Sequence, residues 1–216
     1  MTDASAVRLV LASGSPRRRE ILSALGLEFD VRAPDIDETL QPGEGADAAA
    51  RRLAERKAAA VEAGPEELVL AADTIVVLDG ELLGKPEGVE EAAVMLERLA
   101  GRSHEVVTGL ALRAGADTRS IAARTEVVFR VLDRTEIAAY VATGEPLDKA
   151  GGYGIQGYGS ALVERIEGDF FNVMGLPVPA MLTLLRATGF RYLYGRIVPC
   201  ADGASGDEDQ RPEGRA

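Results

Sequence analysis

Cysteine is almost absent from this chain. Its single copy, Cys200, has no partner for a disulfide, and one cysteine with one histidine, His104, cannot make up a Cys/His zinc site. Tryptophan is missing and aromatic residues reach only 5%, so a core has to be built from Leu, Val, Ile and Ala. Basic residues are outnumbered, 24 against 35 acidic, for a net charge of −11. That balance argues against a surface that neutralises nucleic-acid phosphates. It leaves room for a local group of cations around one small phosphorylated ligand. No apolar run approaches the length of a membrane span, and no cationic, apolar leader opens the sequence. A cytoplasmic protein that binds neither nucleic acid nor membrane is expected. The remainder is ordinary for a folded domain: 216 residues, 46% hydrophobic and 27% charged, enough to bury a core without staples.

The pattern interleaves strands and helices. Residues 8–12 read as a short buried strand. Ser15-Pro16 opens a helix that stops at Gly26, with Ser as cap and Pro in the first turn. Residues 47–63 read as an Ala-rich helix. Residues 68–78 are an apolar run interrupted only by Asp73-Thr74, followed by an Asp79-Gly80 hairpin signal and a return through 81–83. A helix over 90–99 closes at Gly101, strands are expected over 105–112 and 121–131, and Thr135 caps a helix ending at Gly144. Residues 145–160 are Gly-rich and aperiodic. A strand over 161–166 and a helix over 178–187 follow. Without strict alternation, the prediction is an α/β fold with a mixed sheet flanked by helices. One domain over 1–198 is expected, with 199–216 as a disordered tail.

Five groups of residues stand out chemically. Ser13-Gly14-Ser15-Pro16-Arg17-Arg18-Arg19 joins a strand to a helix, and arginines in a first helical turn oppose the helix dipole. Backbone amides and guanidinium forks there suit a phosphate chain, and binding through Arg18 is expected to weaken with salt. A solvated basic turn is the plain alternative. Asp73 lies inside an apolar run, where a carboxylate needs a partner, so it is read as a proton acceptor or magnesium ligand. Gly84-Lys85-Pro86 fails as a P-loop; Lys85 could meet a phosphate as a point charge, but from local pattern it reads as a surface turn lysine. Residues 145–157 contain G-x-G-x-x-G without the strand and helix that motif requires. Asp35, Asp37 and Glu38 offer hard oxygen donors. From local pattern, Lys57 reads as surface-exposed and His104 as structural.

Together these segments resemble the Maf family of nucleotide pyrophosphatases. The matching pieces are Ala12 to Arg18, Asp37-Glu38, Glu55-Arg56-Lys57, Ala72-Asp73-Thr74, Gly84-Lys85-Pro86, Gly101 to His104, Glu145 to Gly151, Gly154-Ile155-Gln156-Gly157 and Asn172 to Pro177, in family order. The resemblance implies a twisted mixed sheet in two lobes around a cleft, similar to the inosine triphosphatase architecture. It implies hydrolysis of a nucleoside triphosphate to a monophosphate and pyrophosphate with a divalent cation, Mg²⁺ or Mn²⁺. Asp73 matches the proton acceptor, and Arg17, Thr74 and Gln156 match positions tied to base selectivity. Ser13, Arg18, Lys57 and Lys85 match residues lining the cleft, and Glu38 with Asp73 is the expected metal pair. A Gln at 156, where a 7-methyl-GTP sister group carries an acid, implies dTTP and UTP as substrates, with modified uridine triphosphates admitted and cleared from nucleotide pools. The partner is then a small nucleotide, with a homodimer left open. The alternative is a nucleotide-binding regulator of septum formation.

Overall fold

The computed structural model describes residues 7–200. Its elements in chain order are β1 (Arg8–Leu11), α1 (Pro16–Ala24), β2 (Phe29–Val31), α2 (Ala46–Ala60), β3 (Glu67–Leu78), β4 (Glu81–Leu83), α3 (Val89–Leu99), β5 (Ser103–Ala114), β6 (Asp117–Phe129) and α4 (Arg134–Ala142). Short 3-10 turns then fill much of residues 145–162. They are followed by β7 (Val163–Glu167), α5 (Phe170–Met174), α6 (Val178–Ala187), β8 (Phe190–Tyr192) and β9 (Ile197–Pro199). The strongly patterned elements lie close to their expected places, and the fold is the mixed α/β class predicted. Three short pieces without a distinctive pattern were not predicted: β2, α5 and the β8–β9 ribbon. Helix α4 is capped by Asp133 rather than Thr135. The Asp133 carboxylate accepts the N–H groups of Thr135 and Glu136 at 2.8 and 2.9 Å, and Glu136 returns a bond to the Asp133 N–H.

The main sheet has the order β2-β1-β3-β5-β6-β7, with β4 also paired to β3. Strand β1 is parallel to both neighbours, and the remaining pairings are antiparallel. Strand β3 organises the molecule. It is buried along nearly its whole length, which accounts for its continuous apolar sequence. One edge pairs with β5 from Leu68 to Val77. The other edge is shared: residues 67–70 pair with β1, and residues 76–78 pair with β4 across the hairpin. Asp79 and Gly80 both adopt positive φ, 53° and 81°, as a two-residue hairpin of this hand requires. Between those pairings, residues 71–75 have β5 as their one strand neighbour among the described residues. The sheet is split at this point, and Asp73-Thr74 sits in the split.

Side chains alternate across a strand, so β3 feeds both faces of the sheet. On one face, α2 packs its alanines against Val69, Ala71, Ile75 and Val77. The approach is close: a Cβ at Gly109 would lie 2.3 Å from the backbone of Ala50. On the opposite face, two clusters divide along β3. Leu68, Leu70 and Ala72 join α6 and the buried part of α1. Val76 and Leu78 join α3, α4, Phe129 and Tyr153. These are the two lobes, and Thr74 marks the boundary between them. Strand β9 returns Ile197 to the first cluster, and the Cys200 N–H donates to the Gly189 carbonyl at 2.7 Å. The expected tail therefore begins inside this ribbon at its first two residues, while residues 201–216 lie outside the described residues.

Candidate active site

Asp73 faces the α2 side of the sheet. Its Oδ1 accepts from Lys57 Nζ at 2.6 Å, and both side chains are buried. Lys57 lies on the buried stripe of α2, in line with Ala46, Ala49, Ala50 and Leu53. Its expected surface position is thus incorrect, and the helical period was the available signal. The same ammonium also reaches Glu38 Oε1 at 2.9 Å, while Glu38 Oε2 lies 3.5 Å from Lys85 Nζ. Two carboxylates therefore share one buried lysine. Burial opposes ionisation of Glu38, but the hydrogen bonds and charges of Lys57 and Lys85 outweigh it and hold its pKa below the usual carboxylate range. Of the three acids expected in this loop, only Glu38 lines the cleft. Asp37 instead accepts the Thr39 N–H at 2.9 Å and its hydroxyl, closing a local turn.

Thr74, the next residue, points to the opposite face. It accepts from Arg18 at 3.2 Å and meets the Thr108 hydroxyl at 3.0 Å. Thr108 donates to the Asn172 carbonyl at 3.0 Å. Arg18 also donates to Ser13 Oγ at 2.9 Å and to the Gly175 carbonyl at 2.8 Å. Its guanidinium is buried, and desolvation lowers its pKa despite the raising effect of Asp73 and Glu38. Arg18 is thus committed to joining the start of α1, β3 and the turn after α5. The salt sensitivity expected of it does not fit a group so enclosed. Arg17 is half-exposed and makes no hydrogen bond among the described residues, so screening is relevant to Arg17 instead. Arg19 is exposed. No side chain caps α1 among the described residues: Ser15 is at the cap position, but its own N–H donates to Ser13 Oγ at 3.2 Å.

These groups converge on a cavity of about 870 Å³, within the range of small-molecule sites. Ser13, Arg17, Arg18, Glu38, Lys57, Asp73, Thr74, Lys85 and Gln156 all line it, so the nine residues that the family resemblance implied are gathered in one cleft. Asp73 and Thr74 face opposite sides of the sheet yet line one cavity because the cavity opens at the split edge of β3. Gln156 is half-exposed, and its amide has no hydrogen-bond partner among the described residues. Lys149 and Glu145, which fall in the matching stretch Glu145 to Gly151 but were given no role from the sequence, also line the wall. Thr108 and Asn172 were likewise missed as members of the Thr74 network. They are polar side chains buried within apolar surroundings, a signal seen only after the strands are paired. His104 is structural, as expected. Its Nε2 lies 2.7 Å from the Tyr153 hydroxyl, it packs edge-on to Phe129, and burial lowers its pKa to about 4.

The arrangement provides a carboxylate able to accept a proton, an uncapped helix start, several cations for a phosphate chain, and one free amide. Residues 8–188 match the family model described as Maf-like protein. A dTTP/UTP pyrophosphatase of Anaeromyxobacter dehalogenans is 52% identical over 189 residues, covering 86% of this chain and 96% of the relative. The dTTP/UTP pyrophosphatase of Myxococcus xanthus is 53% identical over 182 residues, covering 84% and 92%. Among solved structures, the Staphylococcus aureus Ham1 protein aligns with a TM-score of 0.44 at 16% identity, covering 84% of this chain and 97% of that one.

Proposed function

Because the chain belongs to the Maf-like protein family, we propose that its cleft hydrolyses a pyrimidine nucleoside triphosphate, dTTP or UTP, to the monophosphate and pyrophosphate. The observation that carries this reading is Asp73, a carboxylate at the split edge of β3, inside a cavity that also holds Lys57, Lys85, Arg17 and Gln156. The named activity of relatives about half identical over most of their length supports the choice of substrate. Among the described residues, no helix is long and apolar enough to cross a membrane.

The donors present suit a divalent cation of the magnesium class. Glu38 and Asp73 bring hard oxygens around the same Lys57 ammonium, whereas no group of three or more His, Cys, Asp or Glu side chains forms a closed cage among the described residues. Magnesium uses one or two carboxylates and leaves its other positions to water and phosphate oxygens. Glu38 and Asp73 would hold the ion, which supplies charge neutralisation along the phosphate chain. Asp73 orients a water and accepts its proton as the water attacks the α-phosphorus. The bond from the α-phosphorus to the bridging oxygen breaks, and that oxygen leaves with pyrophosphate. Lys57 has three N–H donors and places two on Glu38 and Asp73, which leaves the third for a phosphate oxygen. Lys85 and Arg17 compensate charge on the departing pyrophosphate.

Gln156 reads the base. A uracil or thymine edge alternates acceptor, donor and acceptor, and a primary amide can accept from N3–H while donating to a neighbouring carbonyl. A carboxylate at this position would face that carbonyl with like charge. The test compares kcat/KM for dTTP, UTP, CTP, GTP and 7-methyl-GTP in wild type and Gln156→Glu. Wild type is expected to favour dTTP and UTP and to separate them little, since the thymine methyl adds only apolar contact. The Glu variant is expected to shift toward guanine. A wild type that prefers a guanine nucleotide, or a variant with an unchanged ranking, removes Gln156 from base reading.

A further inference from the structure

We propose that Glu145 is a positioning residue for base selection: together with the Tyr140 hydroxyl, its carboxylate fixes the backbone on both sides of Gln156. This rests on the reading of Gln156 as the group that meets the base.

The segment carrying Gln156 is held by an unusual number of bonds to one side chain. Glu145 Oε2 accepts the Tyr158 N–H at 3.1 Å. Its Oε1 accepts the Gly159 N–H at 3.1 Å and the Tyr140 hydroxyl at 2.9 Å. The same Tyr140 oxygen accepts the Gly154 N–H at 3.2 Å. Two side chains from earlier in the chain therefore grip the segment two residues before Gln156 and again two and three residues after it. The loop is closed tightly at these points. A Cβ at Gly157, where φ is +66°, would lie 2.7 Å from Glu145 Oε2. A Cβ at Gly159 would lie 2.1 Å from the Gly154 carbonyl and 2.7 Å from the Tyr140 oxygen. Ile155 is buried in the first core cluster, which prevents rotation of the segment from the other side.

Glu145 is itself anchored. Its N–H donates to Thr143 Oγ1 at 3.2 Å, and its carbonyl accepts from the half-buried Lys149 ammonium. Tyr140 lies in the second core cluster. The backbone around Gln156 is thus immobilised by both lobes while the Gln156 amide keeps all its hydrogen-bonding capacity, as a group preorganised for a ligand requires. The task needs a carboxylate, because all three groups that meet Glu145 are donors. A Gln at 145 would turn an NH₂ group toward one of them.

The test uses the full chain with magnesium, and UTP and GTP as probes. It compares kcat and KM for wild type, Glu145→Gln, Tyr140→Phe, Gln156→Ala and the double variant Glu145→Gln/Gln156→Ala. Glu145→Gln is expected to raise KM for UTP with little change in kcat, and to lower the UTP-to-GTP ratio of kcat/KM about tenfold, the equivalent of one lost hydrogen bond. Tyr140→Phe keeps the ring in the core and removes only the hydroxyl, so it should lower the ratio in the same direction; it also decides the matter if Glu145→Gln does not fold. In the Gln156→Ala background, Glu145→Gln should change the ratio no further. A merely structural role would lower the melting temperature and reduce both substrates equally. If wild type discriminates and both variants keep its ratio, Glu145 does not position the base-reading loop, although Gln156 can still read the base. If wild type lacks the UTP preference, the reading of Gln156 fails and the proposal fails with it.

Discussion

Replacing Asp73 with Asn separates the chemical role proposed for this residue from its structural one. The substitution keeps the shape and removes one charge. Lys57 Nζ now bonds Asp73 at 2.6 Å and Glu38 at 2.9 Å, with Asp73 and Lys57 buried. An Asn carbonyl still accepts from the ammonium, so no donor is stranded, and Glu38 continues to balance the lysine. The cost is the difference between a charged and a neutral hydrogen bond plus part of the lost attraction, about 1–3 kcal/mol. For a chain of this size each kcal/mol lowers the melting temperature by about 2–4 °C. A total stability of about 5–15 kcal/mol absorbs that loss, and the variant folds. Its turnover should nonetheless fall by about 10²–10⁴-fold, as expected for loss of a general base. The assay is pyrophosphate release from saturating UTP with magnesium, alongside a thermal melt of the same sample. A folded Asn variant with turnover within a few-fold of wild type would remove Asp73 from proton transfer.

Arg17 and Arg18 should respond differently to the same truncation. Arg17→Ala should raise the UTP KM more at low than at high ionic strength, because its half-exposed guanidinium can be screened. Arg18→Ala should instead lower the melting temperature at every ionic strength, at about 1–3 kcal/mol for each buried partner left unpaired among Ser13, Thr74 and the Gly175 carbonyl; equal salt responses would refute the distinction. His104 has its pKa lowered by burial from 6.5 to about 4, so between these values the unfolded chain binds the proton that the folded chain refuses. Stability is therefore complete above about pH 6.5 and is lost as pH falls toward 4, by about 3 kcal/mol in all. His104→Phe should flatten the melting temperature over that window, and an unchanged slope would place the acid sensitivity elsewhere.

Elements with a strong local pattern were legible in the sequence. The β3 run, the Asp79-Gly80 hairpin and the α3 stripe each follow from rules acting within a few residues. The missed elements are held by distant partners. Strand β2 has three residues, mostly exposed, and exists because β1 offers it an edge. The β8–β9 ribbon needs Ile197 to reach a core built far earlier in the chain. Strand β6 begins at Asp117, four residues before its apolar part, because the ladder with β5 continues through polar positions to a turn at Gly115. The site divides similarly. Asp73 could be suspected because a lone carboxylate in an apolar strand needs a partner. The partner could not be named, since Lys57 gains meaning only when α2 lies across β3. Thr108 carries no local signal and Asn172 only its place in the matching Asn172–Pro177 stretch, and both become intelligible only as a bonded chain to Thr74.

Sheet register links these features. Asp73 pairs with Gly109, and Gly109 is where the backbone of α2 touches β5 at Ala50. No other residue admits that contact without displacing the helix. Lys57 stands seven residues beyond Ala50, two helical turns and about 10.5 Å along the axis, back on the same face of α2. The contact at Gly109 thus sets the depth and position from which Lys57 reaches Asp73. A slip of β3 by one residue would exchange faces. Slipped one way, Thr74 would meet the lysine and Asp73 would take the place of Ala72 in the first core cluster. The carboxylate would lose Lys57 and its place beside Glu38, and would be buried among apolar side chains. A lysine-paired carboxylate on one face and an arginine-threonine network on the other are therefore set by the same dipeptide, and the glycine opposite it fixes which is which.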